Sequence, residues 1–417
     1  MHRAVRPAAA RRWLAVVAAA FALALGGCRT LPSARVDLSG QPPAAAAQAK
    51  ANLEVFDAVW DLVHRKHYDP RLGGVDWAAA AATFAPRAAA AADPKALYAV
   101  LNEMLAPLND SHTLALSPER RSERRTAARA RTGFNLLQVE GRWVVAEVVP
   151  GSPAEEAGVK PGWIAVARNG RPLGPRTEFG AKEGETVTWE FLDAEDRTVT
   201  VSPAARRLST VAPPTARVLP GGFVYVRFDE FDGPGRRWLG RQLEEHRAAP
   251  GVVIDLRRNP GGETFSLGIS IGEVFDRAVD CGTFVTRGGR RSLKRSWQLG
   301  SANYAGKVVV LVDGATGSAA EIFAAVLQDH GRAVVVGRRT AGAVLASWFY
   351  RLPGGGELQL SREDYLAPKG RRLEGRGLEP DIAVVRTLAD ARRAIDRDVE
   401  TALGVLRGEL AVPATAR

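Results

Sequence analysis

Ser318 is the first residue of this chain with a claim on chemistry. It follows an apolar run, residues 308–312, that predicts a buried strand ended by Asp313-Gly314. A turn of small residues then leads into a helix predicted over residues 318–330 and closed by Gly331. At such a strand-to-helix turn a hydroxyl is exposed, and the unpaired N–H groups of the helix start can steady a nearby negative charge. The surrounding residues do not form the G-x-S-x-G elbow, and a serine in this place also serves as an ordinary helix cap. Because its hydroxyl is a weak nucleophile until a base takes the proton, Ser318 needs partners.

Histidine is scarce, six residues in all. His112 stands in Asn109-Asp110-Ser111-His112-Thr113, after a turn and before an apolar, strand-like piece; Asp110 and Ser111 either orient its ring or make the turn. Asp255-Leu256-Arg257-Arg258-Asn259-Pro260-Gly261-Gly262 follows a second apolar run. Its two glycines let the backbone approach a ligand with N–H groups pointing outward, as an oxyanion hole requires. Glu321 reads as a first-turn helix charge and Cys281 as a small buried hydrophobe. Histidine, cysteine and carboxylate residues show no cluster at metal-ligand spacing, so neither a metal nor another cofactor is expected.

These residues need a scaffold, and the 417-residue chain is long enough for two or three domains. Its net charge is +11, yet no nucleic-acid motif accompanies it, and no nucleic-acid partner is expected. Residues 1–28 have a basic start, an apolar stretch from Trp13 and a Leu25-Gly26-Gly27-Cys28 ending. That order predicts an export signal, and its end resembles the bacterial lipobox, which implies lipidation at Cys28 and a membrane anchor facing the periplasm or another extracytoplasmic space. Residues 29–50 are expected to be a flexible tether. Residues 51–118 predict a helical domain, with one helix over 93–105, and residues 119–131 a solvated basic linker or helix. Alternating strands and turns predict a small β domain over residues 132–203. Its Pro150-Gly151-Ser152-Pro153-Ala154 and Gly162-Trp163 stretches resemble a PDZ domain, which implies that a peptide end would rest on the loop Thr132, Gly133, Phe134 and Asn135. A Pro-containing connector over residues 204–220 opens the core, residues 204–387, in which strands and helices alternate as in a largely parallel sheet. One last helix is expected over residues 388–407, within a terminal segment of residues 388–417.

Together, the Pro260-Gly261-Gly262 turn, Gly317-Ser318-Ala319-Ala320-Glu321 and Leu327-Gln328-Asp329 resemble the C-terminal processing (tail-specific) serine peptidase family over residues 51–384. The resemblance implies a multidomain α/β (α+β) protein with an α/β ClpP/crotonase-like peptidase core. It also implies protein or peptide substrates with accessible chain ends. The Ser-Lys members carry a lysine in a Thr-x-Gly-Lys stretch, which here reads Thr340-Ala341-Gly342-Ala343, so a lysine base is rejected. The chain is instead similar to the tricorn-core branch, which implies Ser318 as nucleophile, His112 as base, and Ser111 with Glu374 as a relay. Glu379 competes with Glu374 but looks like the approach to a closing strand. The oxyanion is expected on N–H groups of Gly261 or Gly262 and of Ala319. Two other classes stay open: a PDZ-bearing pseudo-peptidase scaffold, motivated by Ala343, and a carrier of small apolar ligands.

Overall fold

The computed structural model describes residues 31–32, 36–175, 177, 179–299 and 302–410; Cys28 and the expected export signal lie outside them. Helices α1 (Pro43–Lys66), α2 (Trp77–Ala89) and α3 (Pro94–Leu105) pack around Phe56, Val59, Val63, Leu101 and Met104. Asp76 and Asp93 cap α2 and α3 with their carboxylates. The expected tether is too long: α1 already begins at Pro43, because a proline in the first turn followed by alanines favours helix. Strand β1 (Leu114–Leu116), helix α4 (Pro118–Thr126) and strand β2 (Ala128–Arg131) follow. The basic run is therefore a helix and a strand, and Arg121 and Arg124 pair with the buried Glu357.

A β-rich module comes next, built from β3 (Phe134–Val139), β4 (Arg142–Val148), the short α5 (Pro153–Glu156), β5 (Ile164–Arg168), β6 (Arg171–Pro172), β7 (Trp189–Leu192) and β8 (Thr198–Val201). Its strands run in the order β3-β4-β5-β7-β8, so β3 is an edge. Phe134 anchors that edge edge-on against Trp189 and Phe191, with ring centroids 4.9 and 5.5 Å away. The expected connector carries two strands. Of these, β9 (Arg206–Ser209) pairs with β2 and closes the module, while β10 (Thr215–Leu219) joins the core sheet.

The core sheet has the order β10, β11 (Phe223–Arg227), β12 (Gly251–Asp255), β15 (Lys307–Val312), β16 (Ala333–Gly337), β19 (Ile382–Ala383). All neighbours after β10 are parallel. The period of two sends Val308, Val310 and Val312 to one face, under α6 (Gly233–Glu245), α7 (Thr264–Gly272) and α8 (Ala319–Asp329). Val309 and Leu311 face the opposite side, against Val405 and Leu406. Burial on both faces explains the unbroken apolar run, since each such side chain stabilises by roughly 1.5–3 kcal/mol.

A second sheet joins β13 (Asp280–Thr286), β14 (Arg291–Arg295), β17 (Ala346–Arg351) and β18 (Glu357–Leu366), with β1 added along β18. The single closing helix expected over 388–407 is broken into α9 (Leu388–Arg392) and α10 (Arg397–Arg407), with Ala394 left-handed at φ 53°. Asp396 causes the break: its side chain caps α10 and also takes two hydrogen bonds from Arg257. As a result α9 lies on the β module while α10 covers the core sheet.

Candidate active site

Strands β12 and β15 are parallel neighbours, so the turns that leave their carboxyl ends meet at one edge of the sheet. Gly261 and Gly262 leave β12 with φ of 113° and 142°, which favour glycine. A Cβ on Gly261 would come within 2.6 Å of Ser318 Cβ, so nothing larger fits between the two turns. Asn259, fully buried, fixes this loop. It donates to the Phe228 carbonyl at 2.9 Å, accepts the Gly261 N–H at 2.9 Å, and accepts the Gly317 N–H on its carbonyl at 3.0 Å. Ser318 itself has φ 51° and ψ −121°, a conformation that costs a non-glycine residue about 1–3 kcal/mol.

The register of β18 brings the distant partners in. It pairs Leu114, two residues after His112, with Gln359, and bridges Leu366 to Arg372, two residues before Glu374. The Ser111 hydroxyl donates to Glu374 Oε2 at 3.0 Å and its N–H to Oε1 at 3.0 Å. His112 Nδ1 lies 2.6 Å from Ser111 Oγ. With the Ser111 proton directed to Glu374, Nδ1–H donates to Ser111 and Nε2 keeps its lone pair, a tautomer assigned from this network. Burial holds the His112 pKa below its ordinary 6.5, outweighing the opposite pull of Glu374 and Asp110, so the ring is neutral at pH 7.

Asp110 holds the His112 turn from below. Its carboxylate accepts the N–H groups of His112 (3.0 Å) and Thr113 (2.7 Å), the Ser361 hydroxyl (2.9 Å) and the buried His67 ring (2.7 Å). Burial raises its pKa, but the hydrogen bonds from His67, Thr113 and Ser361 prevail and hold it below the usual carboxylate value. These contacts anchor a loop from the helical domain to β18 in the core.

Ser318 and Glu374 meet at one peptide group. The carbonyl of Ala343 accepts the Ser318 N–H at 2.7 Å, and the N–H of the same peptide, at Val344, donates to Glu374 Oε2 at 2.9 Å. Glu321 braces the two peptides that lead into it. It is fully buried rather than a solvated helix charge, and its carboxylate accepts the Gly342 N–H (2.7 Å), the Ala343 N–H (2.8 Å), the Ser318 N–H (3.1 Å) and the Thr340 hydroxyl. Burial raises its pKa.

The structure thus gathers Ser111, His112 and Glu374, and sets Ser318 across one peptide from Glu374. Glu379 uses its carbonyl to accept from Gln328. Among the described residues no hydrogen bond joins His112 to Ser318, a contact that often tightens only around substrate. Of the two glycines, Gly261 gives its N–H to Asn259, which corrects its candidacy as an oxyanion donor. Thr132, Gly133, Phe134 and Asn135 run into edge strand β3, and all but Gly133 line a cleft of about 910 Å³ that Arg227, Arg257 and Arg258 border from the core. Glu147 on β4 bridges the two sides, pairing with Arg227 and Arg258 and accepting from Asn135 at 3.0 Å. Cys281 is buried, and burial pushes its thiol up to about 12. His67, Asn259 and Glu321 escape the sequence reading as site residues, whereas Asp110 is read there as either orienting the His112 ring or making the turn; the scarcity of histidine is the one signal that points toward His67.

An α/β core with a strained serine at the carboxyl end of its sheet and a hydrogen-bonded Ser-His-Glu group, anchored on the buried Glu374, defines a serine-hydrolase-like protein. Peptidase family S41 matches residues 222–384, and the Tricorn protease C1 domain matches residues 48–106. A carboxyl-terminal-processing protease of Picosynechococcus sp. is 30% identical over 342 residues, 78% of this chain and 81% of that protein. A putative tricorn protease homolog 2 of Streptomyces coelicolor is 28% identical over 87% of this chain and 33% of its own length. The solved photosystem II D1 C-terminal processing protease shares the fold at a TM-score of 0.58 and 23% identity, covering 86% of this chain and 96% of its own. The chain belongs to the carboxyl-terminal-processing peptidases of family S41, which are serine-type hydrolases.

Proposed function

We propose that this chain cleaves peptide bonds of exported or loosely folded proteins with Ser318 as nucleophile and His112 as its base. Ser318 Oγ attacks the scissile carbonyl while His112 Nε2 takes its proton. The tetrahedral oxyanion rests on the N–H groups of Gly262 and Ala319. His112 then returns the proton to the leaving amine, and water hydrolyses the acyl-enzyme by the same route in reverse. Ser111 and Glu374 hold the ring in the tautomer that leaves Nε2 free. The observation that carries this reading is the shared Ala343–Val344 peptide, which ties the nucleophile to the relay carboxylate. In this reading His112 takes the place of the lysine that the Ser-Lys members carry where this chain has Ala343.

In this reading the β module is PDZ-like and receives a chain end as an added strand along the free edge of β3, above the arginine-bordered cleft. A fluorophosphonate probe should label the parent at Ser318 and leave Ser318→Ala unlabelled and unable to cut a reduced, unfolded protein. An unlabelled parent would make the chain the pseudo-peptidase that Ala343 suggests. Export and lipid anchoring through Cys28 complete the proposal and rest on residues 13–28. Among the described residues no helix is long and apolar enough to cross a membrane. Growth of the source cells with a tagged fatty acid should mark the parent and spare Cys28→Ser; an unmarked parent rules the anchor out.

A further inference from the structure

An apolar pocket of about 190 Å³ lies along α7, between it, residues 281–297 of the β13–β14 segment and Ile322 in the first turn of α8. Both helices lead straight out of the catalytic turns. Phe265 is three residues past Gly262, and Ile322 is one helical turn past Ser318. Ile271, Cys281, Phe284 and Ile322, all buried, make its depth, and Phe265 and Trp297, 50% and 51% exposed, stand at its mouth.

The mouth is built rather than incidental. Trp297 donates its N–H to the Gly268 carbonyl at 3.0 Å. A Cβ on Gly268 would lie 2.6 Å from the Trp297 ring, so only glycine admits the indole this close to α7. Phe265 meets Trp297 edge-on, with centroids 5.8 Å apart. The cations nearby are held to the sides: Lys294 lies over the Phe284 ring and Arg295 donates to the Ala278 carbonyl.

We propose that this pocket receives the side chain of the residue on the acyl side of the scissile bond and selects aromatic or large branched aliphatic residues there. The inference rests on the Ser318 mechanism above. That residue's carbonyl carbon is the atom Ser318 attacks, so its side chain must turn into a wall adjoining both Ser318 and Gly262. The leaving amine has to pass His112, and none of the pocket's residues comes from the His112 loop or from the 340–344 and 374 segments that hold it. The pocket therefore lies on the acyl side. Size sets the class: an apolar protein cavity of about 150 Å³ takes up benzene, so 190 Å³ holds a phenyl or isobutyl group and leaves a methyl group loosely packed. The buried floor has no carboxylate to meet a cation, and Lys294 and Arg295 repel one at the rim.

The test uses the full chain and a set of unstructured peptides that differ only at the acyl-side residue: Phe, Leu, Ala or Lys. For the parent, kcat/KM for Phe and Leu should exceed that for Ala by about 100-fold, and Lys should be the poorest. Trp297→Ala removes an exposed wall and should lower the Phe-to-Ala ratio at least about tenfold. Trp348→Ala, an exposed tryptophan on β17, should leave the ratio unchanged. Labelling by fluorophosphonate with cleavage indifferent to the acyl-side residue, or a ratio unmoved in Trp297→Ala, overturns the pocket alone. Failure of the parent to label or cleave overturns the Ser318 mechanism and the pocket with it.

Discussion

His112→Ala should fold normally and lose about 10⁴-fold in kcat, because Ser318 is then left with no group to take its proton. The loss should appear in kcat rather than KM, since the ring acts on the reacting hydroxyl and does not grip the substrate. The parent's pH profile provides the companion measurement. The working form of His112 is neutral, and burial holds its pKa below 6.5. Activity should therefore be flat through neutral pH and decline only below pH 6.5, as the ring gains a proton. A decline that begins above pH 7, or a His112→Ala variant within tenfold of the parent, would assign the base to another group.

Glu321→Ala should be the most damaging single change that leaves the nucleophile and base in place. It strands three donors in the interior, the N–H groups of Gly342 and Ala343 and the Thr340 hydroxyl, and leaves the Ser318 N–H with the Ala343 carbonyl alone. A buried donor without a partner costs about 1–3 kcal/mol, and such costs add incompletely within one network. A loss of about 3–5 kcal/mol in urea unfolding follows. Activity should fall further than stability explains, by about 100-fold under conditions where the variant is fully folded, because the Ala343–Val344 peptide that spans Ser318 and Glu374 loses its brace. A fully folded variant with parental kcat would reduce Glu321 to a structural residue.

The readable parts of this molecule were those that a local pattern encodes. The apolar runs of β12 and β15 and the glycines after β12 each carry their meaning within a few residues, and the structure reproduces them closely. A late glutamate is expected only from the family resemblance, and Pro380-Asp381 beside Glu379 ranks Glu374 first; nothing near either glutamate in sequence reveals the strand register that brings Glu374 to Ser111. Glu321 stands in the first turn of its helix as expected, but its burial is not legible there: a glutamate three residues into a helix looks the same whether its carboxylate faces water or also accepts two backbone N–H groups of a distant loop. Asn259 was hidden in the same way, as one more polar residue of a turn. The closing helix was drawn too long because Arg257, which draws Asp396 away from a continuous helix, lies 139 residues upstream.

The relay is also a statement about when the protein becomes active. Ser111 and Glu374 are separated by 263 residues and share two hydrogen bonds. Contacts of such long sequence separation form late, after the entropy of closing a very large loop has been met. A chain on the ribosome that has not yet reached residue 374 has Ser111 beside His112 but no carboxylate to fix the direction of the Ser111 proton. On the proposed mechanism, hydrolytic power would await residue 374, so that completion of the chain itself would act as the switch.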